Sequence, residues 1–325
     1  MRMAWIDSTA GSQPRSRMTR QPLITPVLVA GCLIVMVGFA IRASFGVFQI
    51  PVAEEFGWPR AEFSLAIAIQ NLAWGFGQPL FAAMAEKVGD RKAIVLGALA
   101  YAAGLVLSAG ATSPLQHQML EILVGFGIAG TGFGVILAVV GRAASDENRS
   151  MALAVATAAG SAGQVFGAPM AEILLGYMTW QSVFIVFAGL ILATLLVLPM
   201  MRSPAPASTA EWQDSMGRVL GRAIRDPSYT LIFLGFFSCG YQLAFITAHF
   251  PAFVTEMCAP IAAGGVLAGM GITTTSGLGA VAISIIGLAN IAGTSRRAGR
   301  ASASAANTCW RGSTRAGRWR RRGSS

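Results

Sequence analysis

Met84-Ala85-Glu86-Lys87-Val88-Gly89-Asp90-Arg91-Lys92 stands between two long apolar runs and carries five ionisable side chains in nine residues. Charge at that density does not sit in hydrocarbon, so the stretch reads as a tight aqueous turn joining two membrane helices. Gly89 supplies a backbone conformation that a bulky residue resists. Glu86 closes the incoming helix, and Arg91 and Lys92 open the next. Acid and base are thereby placed within pairing reach across the turn.

A membrane span needs about 20 apolar residues. Eight segments meet that need or nearly so: 23–48, 63–84, 93–111, 119–140, 151–177, 183–201, 229–250 and 277–294. With the N-terminus inside, thirteen Lys and Arg fall in the inner segments against Arg60 alone outside, which sets the turn on the cytoplasmic side of a cell (inner) membrane. Residues 112–118 and 179–182 are then outer turns. The expected organisation is a cytoplasmic N-terminal tail over 1–22, six spans over 23–201, a cytoplasmic linker over 202–228, two spans over 229–294 and a basic disordered tail over 295–325.

Composition agrees with a membrane chain, at 54% hydrophobic and 12% charged residues over 325 positions. The net charge of +10 is local, because residues 295–325 hold nine Arg and no acid, and the rest of the chain is near neutral. That tail has two Trp among its Arg and no folded nucleic-acid module, so nucleic acid is not an expected partner; the lipid bilayer is. Cys32, Cys239, Cys258 and Cys309 form no CxxC and read as small apolar residues, with no metal or cofactor implied. No nucleophile and base pattern points to an enzyme. The GxGxxG at 125–130 lies in a span with no strand before it, which excludes a phosphate loop.

The charged turn resembles the loop between helices 2 and 3 of the major facilitator superfamily, Gly-x-Leu-Ala-Asp-Arg-x-Gly-Arg-Arg/Lys, with Ala82, Met84, Ala85, Glu86, Lys87, Gly89, Asp90, Arg91 and Lys92 filling the pattern. Ala82, Glu86 and Asp90 depart from it. The resemblance implies an all-α membrane protein of the major facilitator fold, with a complete N-terminal six-helix half and about two helices of a second half. Helix 1 around Ile41-Arg42-Ala43-Ser44-Phe45, the stretches 56–64 and 74–79, and 236–245 with 249–251 are similar to the monocarboxylate-transporter-like branch. That family continues past its eighth helix into a second charged turn, whereas here 31 residues follow of which 25 are Arg, Ala, Ser or Gly. The expectation is a frameshifted or truncated end, and a carrier inactive as this chain.

Arg42 is the sharpest single residue. A lone guanidinium in a span costs about 2.5 to 3.5 kcal/mol on insertion scales and faces a cavity, a partner or the headgroups. Its planar fork suits a carboxylate. Gln70, Asn71, Gln164, Tyr241 and Gln242 lie within spans, where such groups bond between helices or hydrogen-bond a substrate at the midplane. Together with Arg42 they form the expected substrate site. Glu121, Glu172 and His249 fall near outer helix ends, where solvated interface residues and proton coupling are the two readings. Glu121 stands where many family members have an Arg, so a role given to that Arg does not transfer.

The resemblance therefore implies a secondary-active transporter of a small organic anion, with a proton as a second partner. It works by alternating access, and 86–92 latch one state as the conformational loop. The alternative is a non-transporting scaffold or sensor with a lipid-binding tail.

Overall fold

The computed structural model describes residues 22–202, 216–262, 264–294 and 296. The expected N-terminal tail, the Pro-containing stretch after Arg202, Cys309 and, Arg296 apart, the basic tail lie outside them. Every regular element among the described residues is helical.

Among the described residues eight long helices form the frame: α1 Pro26–Phe56, α2 Arg60–Val88, α3 Asp90–Ser108, α4 Pro114–Ala143, α5 Arg149–Leu175, α6 Trp180–Met200, α7 Pro227–Met257 and α8 Thr275–Thr294. Local chemistry starts most of them. Thr25, Ser113 and Asp226 accept hydrogen bonds from the backbone N–H groups of Leu28, Gln116 and Ser228, and each is followed by Pro at the first helical position. Between α2 and α3 there is only Gly89, at φ +102°, so the charged turn is a single left-handed hinge residue. The ten-residue helix Met216–Arg225 lies within the expected linker; its Arg residues recur at 218, 222 and 225, a helical spacing.

Seven of the eight are long and apolar enough to cross a membrane; α2, expected to span over 63–84, is not among them. Its Gln70, Asn71 and Gln78 lower its apolarity and turn inward, while Leu65, Leu72, Phe76 and Leu80 form an exposed stripe along its outer side. The helices also run past the expected spans. α1 continues eight residues beyond Phe48 to Phe56, because Glu55 is held at its end by the Trp180 indole N–H and the Gln181 amide of α6.

α1 packs on α5, and α4 lies between α2 and α3. Two buried clusters fill this six-helix bundle. One centres on Phe48, Phe63, Tyr101, Phe184 and Phe187, the other on Ile34, Val35, Ile94, Ile136 and Val140. The face holding Gly89, Arg142 and Arg149 is the basic face; Trp58, Thr112 and Thr179 mark the opposite one. At the basic face Arg142 Nη2 bonds Asp90 Oδ1 at 2.6 Å, and Arg91 donates to the carbonyls of Met201 and Pro199 at 2.9 Å each. The pairing expected between Glu86 and Arg91 or Lys92 does not form. Glu86 is exposed, and Arg91 turns to α6, where the last carbonyls of a helix lack partners.

Arg91→Ala is expected to loosen the α3–α6 contact by about 1 kcal/mol, the low end for a charged donor because the side chain is exposed. Lys92→Ala, which removes no contact seen among the described residues, should leave the melting midpoint in detergent unchanged.

α7 and α8 meet the bundle mainly toward the opposite face. Gly46 has no room for a Cβ, which would strike the Thr247 carbonyl, so α1 and α7 touch backbone to backbone. Arg60 pairs with Glu256, and Glu172 accepts from Thr274 Oγ1 at 2.9 Å and Ser276 Oγ at 2.6 Å. Deeper in, Ser284 Oγ donates to the Val165 carbonyl at 2.6 Å. Toward the basic face, residues 231–242 of α7 are exposed, whereas Thr247, Ala248, Pro251 and Ala252 are buried. The two groups of helices are therefore joined at the opposite face and apart at the basic one.

Candidate functional site

A pocket lies where α1, α2 and α7 converge, lined by Arg42, Phe45, Ile67, Gln70, Asn71, Thr247 and Ala248. It is narrow, and its walls have to part to admit even a short carboxylate.

Because α1 runs on to Phe56, Arg42 sits near the middle of a 31-residue helix rather than in its outer part. It is 5% exposed. Nη2 donates to Asn71 Oδ1 at 2.9 Å, and Asn71 Nδ2 is spent on the Ile67 carbonyl, which fixes the amide so that its oxygen faces the guanidinium. The Arg42 Cζ lies 4.8 Å from the centroid of the Trp74 ring, a cation–π contact worth up to ~2 kcal/mol once desolvated. Nε and Nη1 are buried without a partner among the described residues. A planar cation with one neutral acceptor and two unmet donor nitrogens is an incomplete arrangement, and an anionic acceptor has the charge to improve it.

The adjacent Gln70 points to the other side of α2. Its Nε2 donates to Glu121 Oε2 of α4 at 2.6 Å. Glu121 is fully buried, contrary to the expected solvated position at a helix end: Ser113 and Pro114 start α4 where a loop was expected, which carries Glu121 two turns into the bundle. One turn earlier His117 is equally buried, between the rings of Phe63 and Trp58. Gln118 Nε2 reaches Glu62 Oε2 at 2.7 Å.

Of the expected substrate residues, Arg42 and Asn71 meet at the pocket, and Gln70 lines it while its amide turns away to Glu121. Gln164 is buried on α5 but does not line it. Tyr241 is 65% exposed and Gln242 is also exposed, so neither converges on Arg42; they lie on the stretch of α7 that stands away from the bundle. Thr247, one and a half turns further along, takes their place, with its hydroxyl bonded back to the Leu243 and Ala244 carbonyls. Glu172 is half-buried in its two hydroxyl bonds rather than solvated, and His249 lies against Phe245. Trp74 and Thr247 were missed as site residues. Trp74 stands at helical spacing from Gln70 and Asn71, a signal that was available; Thr247 carried none beyond being a hydroxyl in an apolar run. The conformational-loop residues Glu86, Lys87, Gly89, Asp90, Arg91 and Lys92 sit at the basic face, far along α2 from this pocket. The described residues hold no cluster of three or more metal-ligating side chains.

The sequence profile described as Major Facilitator Superfamily matches residues 30–309. Among curated relatives, monocarboxylate transporter 13 of Bos taurus is 34% identical over 176 residues, covering 53% of this chain and 40% of that protein. The uncharacterized MFS-type transporter YcxA of Bacillus subtilis (strain 168) is 26% identical over 216 residues, covering 65% and 52%. Monocarboxylate transporter 12 of Homo sapiens is 25% identical over 179 residues, covering 54% and 34%. The chain thus spans about half or less of the length of these relatives. Two solved structures share the fold at 13% identity. They are a D-xylose-proton symporter, with a TM-score of 0.54 over 82% of this chain and 65% of that one, and a bacterial homologue of the human lysosomal transporter Spinster in an inward-facing, unoccupied conformation, with 0.51 over 79% and 73%.

Proposed function

We propose that this chain, which belongs to the major facilitator superfamily, binds a small monocarboxylate-like organic anion at Arg42, as the part described of a secondary-active carrier that moves the anion across a cell membrane. The observation that carries the reading is the pair of unpartnered guanidinium nitrogens in a buried pocket between the first bundle and α7. The relatives named monocarboxylate transporters support the anion class. In this reading Arg42 takes the carboxylate on a free guanidinium N–H, Asn71 holds the guanidinium in plane, and Thr247 closes the pocket from the other helix group.

Alternating access would proceed by rocking α7 and α8 against the first bundle. The basic face is the cytoplasmic one, with the N-terminus on that side of a cell (inner) membrane, by the excess of Lys and Arg there. The arrangement described, closed opposite and apart at the basic face, is then open to the cytoplasm. Glu172 and the Arg60–Glu256 pair serve this closure. The charged turn at 86–92 steadies the basic-face ends of α3, α4 and α6.

Binding is the direct test, since α1, α2 and α7 build the pocket. The chain purified in detergent is expected to bind a labelled short-chain monocarboxylate saturably, in competition with unlabelled carboxylate and not with the matching amide. Counts that never exceed a protein-free control would refute the reading.

A further inference from the structure

The interface of α2 with α4 buries a second polar group, off the pocket, that anion binding does not use. Glu121 is 0% and His117 2% exposed, one turn apart on α4. Glu121 Oε2 accepts from Gln70, but Glu121 Oε1 and both ring nitrogens of His117 have no hydrogen-bond partner among the described residues. His117 Nε2 and Glu121 Oε1 lie 3.8 Å apart, just beyond hydrogen-bond reach. The imidazole stacks on Phe63 at 5.5 Å between centroids and 23°, with Trp58 at 6.2 Å, so its surroundings are apolar rings. Native interiors leave few buried polar atoms unmet, and two of these three, Nε2 and Oε1, face one another across that gap. The space between Nε2 and Oε1 fits nothing larger than a proton.

We infer that His117 and Glu121 form a proton-binding site, in which one proton from the water at the opposite face is held between His117 Nε2 and Glu121 Oε1. Binding adds one positive charge to the pair and breaks no covalent bond; release returns the same proton to water. The order of groups supports this. His117 stands three residues into α4, Glu121 one turn deeper, Gln70 beyond it, and then Asn71 with Arg42. The other charged or titratable groups facing the pair are few: Glu62 on α2, held by Gln118; Tyr101 on α3, whose hydroxyl donates to the Gly38 carbonyl at 3.2 Å; and Arg42 on α1, behind Tyr101.

Gln70 and Asn71 link the two sites. A carboxylate accepts the Gln70 N–H strongly and a neutral carboxyl less so, so proton binding loosens α2 beside the residue that orients Arg42. This link rests on the anion-carrier reading, whereas the proton site does not.

Infrared difference spectra of the purified chain, taken without any added carboxylate while the pH is stepped through neutral, test the site. The expected result is a carboxylic C=O band that is lost in Glu121→Gln and kept in Glu172→Gln. In His117→Gln its midpoint should move by about one pH unit, tenfold in proton affinity. A wild-type spectrum that coincides with that of Glu121→Gln, or a midpoint indifferent to His117→Gln, overturns the proposal. Adding a monocarboxylate then tests the link: the midpoint should shift in the wild type and not in Arg42→Ala. If the band behaves as expected but no carboxylate binds, the proton site stands and the carrier reading fails.

Discussion

Arg42→Met is expected to abolish monocarboxylate binding while leaving the melting midpoint of the purified chain no lower than that of the wild type. Removing one partner of a buried charged contact costs about 2 to 5 kcal/mol, roughly a thirtyfold to several-thousandfold loss of affinity. The fold has little to lose, because among the described residues Arg42 has two unmet donor nitrogens and a single neutral acceptor. An apolar chain of similar length relieves that burial, and such replacements are often neutral or stabilising. Arg42→Lys separates charge from shape. It keeps the cation but not the fork, and should retain weak binding, about tenfold or more below the wild type. Calorimetric titration beside a thermal melt reads both quantities. Full affinity in Arg42→Met would remove Arg42 from the site, and a collapse in stability would make it structural instead.

Gly167→Val is expected to cost about 3 kcal/mol, at the upper end for overpacking, and Gly163→Val with Gly167→Val together should prevent folding. At both positions a Cβ would drive into the backbone of α1, against the Met36 carbonyl for Gly163 and the Ala40 carbonyl for Gly167. Backbone cannot step aside as a flexible side chain can. In lipid, where apolar side chains gain nothing by leaving the solvent, this close approach carries much of the helix pairing. Gly189→Val is the control, since nothing lies within 4 Å of its added carbon. Monodisperse elution and an unchanged melt for Gly167→Val would show that α1 and α5 do not depend on the contact.

The spans were legible because hydrocarbon demands long apolar runs, and few other sequences contain them. Their ends were not. Gln49, Glu54 and Glu55 look like a loop by composition, yet they extend α1 because Trp180 and Gln181 wait at its end. The same error hid His117: with 112–118 taken as a turn, the imidazole fell in water and Glu121 at a wet helix end. The Ser113-Pro114 cap, readable in the sequence, moves both inside.

Arg42, Gln70 and Asn71 stood out because polar groups are rare in such runs. Which face each polar residue takes was another matter. Gln70 and Asn71 are consecutive and so point about 100° apart, one toward α4 and one toward Arg42. Tyr241 and Gln242 were as conspicuous as these, but nothing in an almost uniformly apolar helix marks the stretch that stays away from the bundle.

Gly46 lies four residues from Arg42 on the same side of α1, about 6 Å along its axis, while the other end of the helix at Leu28 is about 27 Å away. Where α1 and α7 touch at Gly46, they have a fulcrum. A tilt of about 10° around it displaces the pocket walls by only about 1 Å, and spreads the far rim by about 5 Å over that lever arm. In the proposed carrier, small adjustments around a bound carboxylate would thereby be geared up into the opening and shutting of a wide mouth.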